Sequence, residues 1–163
     1  MRAQRRFRTV QPGIETWHTL SAGAHYDPEH LSYGPVVGLD EHTVDPGAGF
    51  DWHAHRGVHI VSWVLKGTLR HQDRTEERLV TPGTLLVQST GDGIVHRETN
   101  ASEVEPLHFL QVTILADAPV GVHSTPPPTS VAGVLINLTG DRELVLSLGA
   151  PSVEAWNASN SAD

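Results

Sequence analysis

Apolar residues along this chain gather in short runs, and almost nowhere do they recur at the three-to-four spacing of an amphipathic helix. The runs are rich in Val, Ile, Leu and Thr, and turn-forming residues close each of them. "DPGAG", "KG", "TPG", "TGDG" and "NASEVEP" are such closures, in which glycine supplies a positive φ and proline blocks continuation of a ladder. The pattern predicts strands over Pro35–Leu39, His59–Leu65, Leu69–Gln72, Leu85–Ser89, Ile94–Glu98 and Leu107–Leu115. Regular short strands of this kind imply an all-β sandwich or small barrel. "HSTPPPTS" at 123–130 interrupts the rhythm and reads as an extended connector, and "GVLINLTGDRELVLSL" beyond it reads as a β-hairpin about "TGD". The polar end, 157–163, reads as a disordered tail, and there is no internal repeat.

Composition narrows the class. A length of 163 residues suits one domain with a core, and 38% hydrophobic with 18% charged residues fits a folded chain. No apolar run is long enough for a membrane helix. The basic start "MRAQRRFRTV" is not followed by an apolar segment, so no secretory signal is expected and a cytoplasmic location is. The lack of cysteine removes disulfides, thiolate metal sites and cysteine nucleophiles together. Four of the eleven basic residues, Arg2, Arg5, Arg6 and Arg8, lie at the very start, leaving seven against nineteen acidic ones elsewhere. Such a body repels a phosphate backbone, so nucleic acid is not an expected partner and a small molecule is. Residues 1–16 read as a basic, solvated terminal segment.

Candidate chemistry lies in the histidines. "FDWHAHRGVHI" at Phe50–Ile60 holds His53, His55 and His59 within seven residues. On a strand, residues two apart share a face, so His53 and His55 project together. "GIVHRETN" supplies His96 and Glu98 at the same spacing. Two such pairs on facing strands would set three imidazoles and one carboxylate around a common point. That donor set suits Fe, Ni, Cu or Zn, and the carboxylate favours Fe(II) or Mn(II). His59 has the parity of His53 and His55 unless Gly57 hosts a bulge. Trp63 follows His59 at strand spacing and could wall an aromatic substrate. His108 alternates with Leu110 and Val112 and could orient a ligand from behind.

These motifs resemble the two-motif pattern of the cupins, with Gly47, His53, His55 and Gly67 in the first and Gly93, His96 and Asn100 in the second. More narrowly, "HYDP", "PGAGFDWHAHR", "GIVHRE" and "EPLHFLQV" resemble the pirin family, which includes quercetin 2,3-dioxygenase-like enzymes and a nuclear regulator. The resemblance runs from Trp17 to Leu115. It implies a single cupin (jelly-roll) β-barrel over 17–122, with iron held by His53, His55, His96 and Glu98 in a site open to a ligand. Residues 131–156 would then form a residual hairpin that completes or extends the barrel. Two departures stand out: pirins continue into a second barrel, and His59 occupies a position where they carry glutamate.

Three functions follow as expectations. The first is an iron dioxygenase acting on a small aromatic or enolic, flavonol-like compound, with Glu98 as ligand and proton acceptor. The second is a non-oxidative cyclase, isomerase or dehydratase using His59 as acid or base. The third is a metal- or redox-sensing regulator. A homodimer is expected, because frayed barrel edges expose unpaired backbone groups.

Overall fold

In a computed structural model of the chain, residues 6–115 are described in full, together with the backbone of strands at 123–125, 133–138, 142–149 and 152–154. Two compact units divide the chain, one spanning Arg6–Thr125 and the other holding the segment after it. Every regular element among the described residues is a strand.

The first unit contains two antiparallel sheets. β1 (Phe7–Gln11), β2 (Ile14–His18), β3 (Val36–Val44), β5 (Val58–Lys66), β8 (Leu85–Ser89), β10 (Leu107–Leu115) and β11 (His123–Thr125) form a seven-stranded sheet in the order β1-β2-β3-β10-β5-β8-β11. β4 (Gly49–His55), β6 (Leu69–Asp73), β7 (Glu77–Val80) and β9 (Ile94–Asn100) form a four-stranded sheet in the order β4-β9-β6-β7. The second unit contains a three-stranded sheet of β12 (Gly133–Leu138), β13 (Arg142–Gly149) and β14 (Ser152–Glu154). The expected hairpin is β12 and β13 in antiparallel register, with β14 as a third strand.

Two boundaries differ from the sequence expectation. The segment 1–16 is not wholly a loose terminus: β1 and β2 pair from Phe7↔His18 to Gln11↔Ile14, and β2 pairs with β3. Arg6 is drawn in by Glu41, at 2.6 Å, and Arg8 by Glu15, so two of the four leading arginines are ion-paired. Alternation in "RTVQ" was hidden by charge, because the cross-strand partner of an arginine is invisible in a single strand. Arg2 and Arg5 lie outside the described residues. The connector expected at 123–130 begins with β11, which pairs with β8, and its remainder lies outside the described residues, as does the tail at 157–163.

Contacts between the sheets show which faces look inward. Gln111 on β10 and Ser62 on β5 both donate to Glu98 on β9 of the other sheet. Side chains of their parity are therefore interior. One end of that interior is apolar, packed with Ile14, Val44, Val64, Leu69, Val80, Leu86, Leu107 and Phe109. Burying each such side chain contributes about 1.5–3 kcal/mol. Asn100 fastens this end: its amide donates to the carbonyls of Val44, Asp45 and Glu105, and its oxygen accepts from the Ser102 N–H. Gly67, at φ 79°, turns β5 into β6 where a Cβ would lie 2.8 Å from the Pro106 carbonyl oxygen. Toward the other end the inward positions become polar.

A bulge decides what β4 presents. Phe50 pairs with Glu98, but the next pair is His53 with His96, so Asp51 and Trp52 together oppose Arg97. The extra residue lets Phe50 and His53, three apart, face the same way. Trp52 turns outward, 46% exposed, with the Arg97 guanidinium 5.2 Å from its ring centre.

Candidate metal centre

The bulge that aims His53 also fixes its protonation. His53 Nδ1 lies 2.7 Å from the Asp51 carbonyl oxygen, which only accepts, so Nδ1 carries the hydrogen and Nε2 the lone pair. His55, two residues on, shares its face and is half-buried. Across the ladder His96 is wholly buried. Its Nδ1 is 2.9 Å from His71 Nε2, while its Nε2 is buried without any hydrogen-bond partner. The rings of His53 and His96 stand 4.4 Å apart, those of His53 and His55 4.9 Å, and those of His55 and His96 5.0 Å. One nitrogen from each falls within 4.8 Å of the others.

Electrostatics keeps the His96 and His55 rings neutral. Burial, followed by the neighbouring His53, His71 and His55, pushes His96 down to about 3. Burial and His53 likewise lower His55. Neutral imidazole is the form a metal requires, and the orphaned His96 Nε2 is a buried acceptor or donor that costs energy until something fills the space before it. Three converging imidazoles with such an atom fit a divalent cation.

Glu98 shares the inward face of β9 with His96 but does not join the histidine group. It is 3% exposed, and its two oxygens accept from Gln111 Nε2 at 2.9 and 3.1 Å, with Ser62 Oγ at 3.4 Å from one of them.

The remaining sequence candidates do not come to the site. β4 ends at His55, and Arg56 and Gly57 carry the chain into the other sheet, so His59 stands on a different strand from His53 and His55. The bulge falls at Asp51–Trp52 rather than Gly57. Because Ser62 faces Glu98, alternation along β5 puts His59 and Trp63 on the opposite face. Trp63 pairs there with Leu110 and is buried among core residues. His108 is also on that face, its Nε2 2.7 Å from Glu41, which in turn holds Arg6.

Sequence reading missed His71, Gln111, Ser62 and His42. The signal for the first was available: within the predicted strand Leu69–Gln72, His71 has the parity of Leu69, and a histidine sharing a face with a buried leucine needs a buried partner. His42 lies between Phe50 and Phe109, with ring centres 5.0 and 4.8 Å away, and bonds Thr16 Oγ1 at 2.9 Å. Beside His55, at the edge of the four-stranded sheet, a depression of about 570 Å³ is also bordered by Ala54, Arg56, Asp73, Gly93 and Val95. No helix among the described residues is long and apolar enough to cross a membrane.

The Pirin family profile matches residues 1–114. A protein of Mycobacterium tuberculosis H37Rv, provisionally named a quercetin 2,3-dioxygenase, is 40% identical over 118 residues, covering 72% of this chain and 48% of its own length. The quercetin 2,3-dioxygenase of Escherichia coli K12 is 33% identical over 105 residues, 64% of this chain and 46% of the relative. The chain thus spans about half the length of these curated relatives. Among solved structures, bacterial pirin YhhW of Escherichia coli in complex with nickel(II) superposes with a TM-score of 0.72 at 29% identity, covering 81% of this chain and 58% of that one.

Proposed function

The chain belongs to the pirin family, and on that premise we propose that it is a metal-dependent cupin enzyme, a dioxygenase acting on a small aromatic or enolic compound of the flavonol kind. The observation that carries the reading is the His96 Nε2 atom, buried and without a partner, in a group with two further imidazoles. His53, His55 and His96 would hold one divalent ion. Fe(II) is our assignment for the working ion; the nickel(II) in the Escherichia coli relative makes Ni(II) the ion to compare with it. When bound, such an ion supplies Lewis acidity and, for iron, an electron path between an enolate and dioxygen.

The chain's own residues supply the rest. The Asp51 carbonyl keeps the His53 proton on Nδ1 and the Nε2 lone pair free. In this reading a planar substrate would approach by the depression beside His55. Glu98 is assigned as the acceptor of the substrate's hydroxyl proton, with Gln111 and Ser62 holding the carboxylate in place until that proton arrives. The non-oxidative alternative leaned on His59 as acid or base, and that residue lies on the face of β5 away from Glu98. That one support for it is removed.

The test is anaerobic reconstitution with Fe(II) and separately Ni(II), metal analysis, and then oxygen consumption with quercetin and simpler enols. Stoichiometric metal with substrate-dependent oxygen uptake supports the proposal. Metal uptake with no oxygen consumption on any enol overturns the dioxygenase reading.

A further inference from the structure

We propose that His71 is a positioning residue of the metal centre: from behind His96 it accepts the Nδ1 proton of that ring and so fixes the tautomer in which His96 Nε2 offers its lone pair to a divalent cation. The inference rests on the reading of His53, His55 and His96 as metal ligands.

His71 is on β6, 1% exposed, on the face it shares with the fully buried Leu69. Its ring centre is 5.0 Å from that of His96, and the single contact between them is Nε2 to Nδ1 at 2.9 Å. Two neutral imidazoles joined in this way share one proton, and two arrangements exist. In the first, His96 Nδ1–H donates to His71 Nε2, which leaves a bare lone pair on His96 Nε2 and a hydrogen on His71 Nδ1. In the second, His71 donates, and His96 Nε2 carries a hydrogen toward the other two histidines. Both outer atoms of the pair, His96 Nε2 and His71 Nδ1, are buried without a hydrogen-bond partner. The protein alone therefore does little to choose between the arrangements. A cation before His96 is compatible only with the first, and His71 is the acceptor that makes the first available.

Among the described residues, no other group bonds His96 Nδ1. Asp73 pairs with His96 across the ladder, but its Oδ1 already accepts from the backbone of Thr75 and Glu76 and from the Thr75 hydroxyl. Ligating histidines usually donate to a carboxylate or a carbonyl, as His53 does to Asp51. An imidazole acceptor orients the ring just as well while adding no negative charge beside the site.

The experiment measures Ni(II) affinity by chelator competition for the wild-type chain, His71→Ala, His71→Phe and His71→Gln, with circular dichroism to verify folding. Removing the acceptor, in the Ala and Phe variants, is expected to weaken Ni(II) binding about 10- to 100-fold. His71→Gln, whose amide oxygen accepts from His96, is expected to recover most of that loss. On the wild-type chain loaded with Zn(II), nitrogen NMR is expected to show His96 protonated at Nδ1 and bound through Nε2. That measurement needs no variant, so a substitution that fails to fold does not protect the proposal. Equal affinities in all four folded proteins, a glutamine variant no better than alanine, or a wild-type His96 protonated at Nε2 each overturn it. A wild-type chain that takes up neither ion overturns the three-histidine reading itself, and this inference with it.

Discussion

The histidines on the inner face of the four-stranded sheet and His18 and His108 on the seven-stranded sheet live under opposite rules. His108 rests against Glu41 and His18 against Asp40, each with 2.7 Å from ring nitrogen to carboxylate oxygen. Those rings have an acidic partner to answer them. His53, His55 and His96 have chiefly one another, a backbone carbonyl and His71. A carboxylate beside a histidine favours its charged form, whereas imidazoles packed together and buried disfavour it. The first arrangement settles a residue into the structure; the second leaves His96 Nε2 short of a partner, which in the proposed reading a cation would supply. What separates a proposed ligand from a structural histidine here is its neighbours, and the residue type says nothing.

That contrast has consequences for mutation. His96→Ala should lose stoichiometric metal altogether, a drop of more than 100-fold in Ni(II) affinity, because it deletes the most buried nitrogen of the group. His108→Ala, measured in the same assay, should leave the affinity unchanged. Metal retained by His96→Ala would erase the distinction. Glu98→Gln divides the inner region further. If the three imidazoles suffice as ligands and Glu98 receives a proton, metal content persists while kcat for oxygen uptake falls about 10²–10⁴-fold. Loss of metal along with activity would make Glu98 a ligand after all.

Much of this was legible in the chain because it depends on local spacing. Alternation in "LHFLQVTIL" and the dense apolar run "HIVSWVL" gave strands with both faces buried, as β10 and β5 show. His53, His55 and His96 came from two-residue spacing, and the structure brings them together. What escaped depends on partners far along the chain. The reversal of His59 and Trp63 follows from Arg56–Gly57 leading into a second sheet, and parity counted through a sheet change is meaningless. The bulge at Asp51–Trp52 is set by the facing strand, which "FDWHAH" does not contain. His71 and Gln111 act on β9 from positions 25 and 13 residues away; His71 stands in no motif, and Gln111, though inside "EPLHFLQV", has no spacing that ties it to Glu98.

A subtler contrast lies within the buried histidines. His42 is closed in by Phe50 and Phe109 and is pushed down to about 4, chiefly by burial, which Asp40 and Glu41 only partly offset. Its folded value lies below the ordinary 6.5, so the unfolded chain binds the proton first as pH falls. Stability is therefore full above about pH 6.5, declines between 6.5 and 4, and stays reduced below that. Denaturant unfolding at pH 7.5 and pH 5 should show a loss of about 2 kcal/mol from this residue. His42→Gln keeps a polar group for Thr16 and should flatten that dependence. An unchanged slope would mean that His42 is reached by water and titrates normally.

The smallest effect is expected where carboxylates do answer the histidines. Glu41 is held down to about 2, mainly by the hydrogen bond from His108, with Arg6 adding to it against the cost of partial burial. Its folded value is depressed, so its contribution is present above about pH 4.5 and is lost as pH falls through 2, the reverse edge of the pH scale from His42. The cluster is partly exposed, and pairs of that kind contribute about 0.2–1 kcal/mol. Glu41→Gln should therefore cost no more than about 1 kcal/mol at pH 7, measured by denaturant midpoint. In high salt that cost should shrink, because a partly exposed pair is screened, while metal affinity stays at the wild-type value throughout. If Glu41→Gln also weakened Ni(II) binding, the two faces of the seven-stranded sheet would be coupled, and His108 would have to be counted as part of the centre.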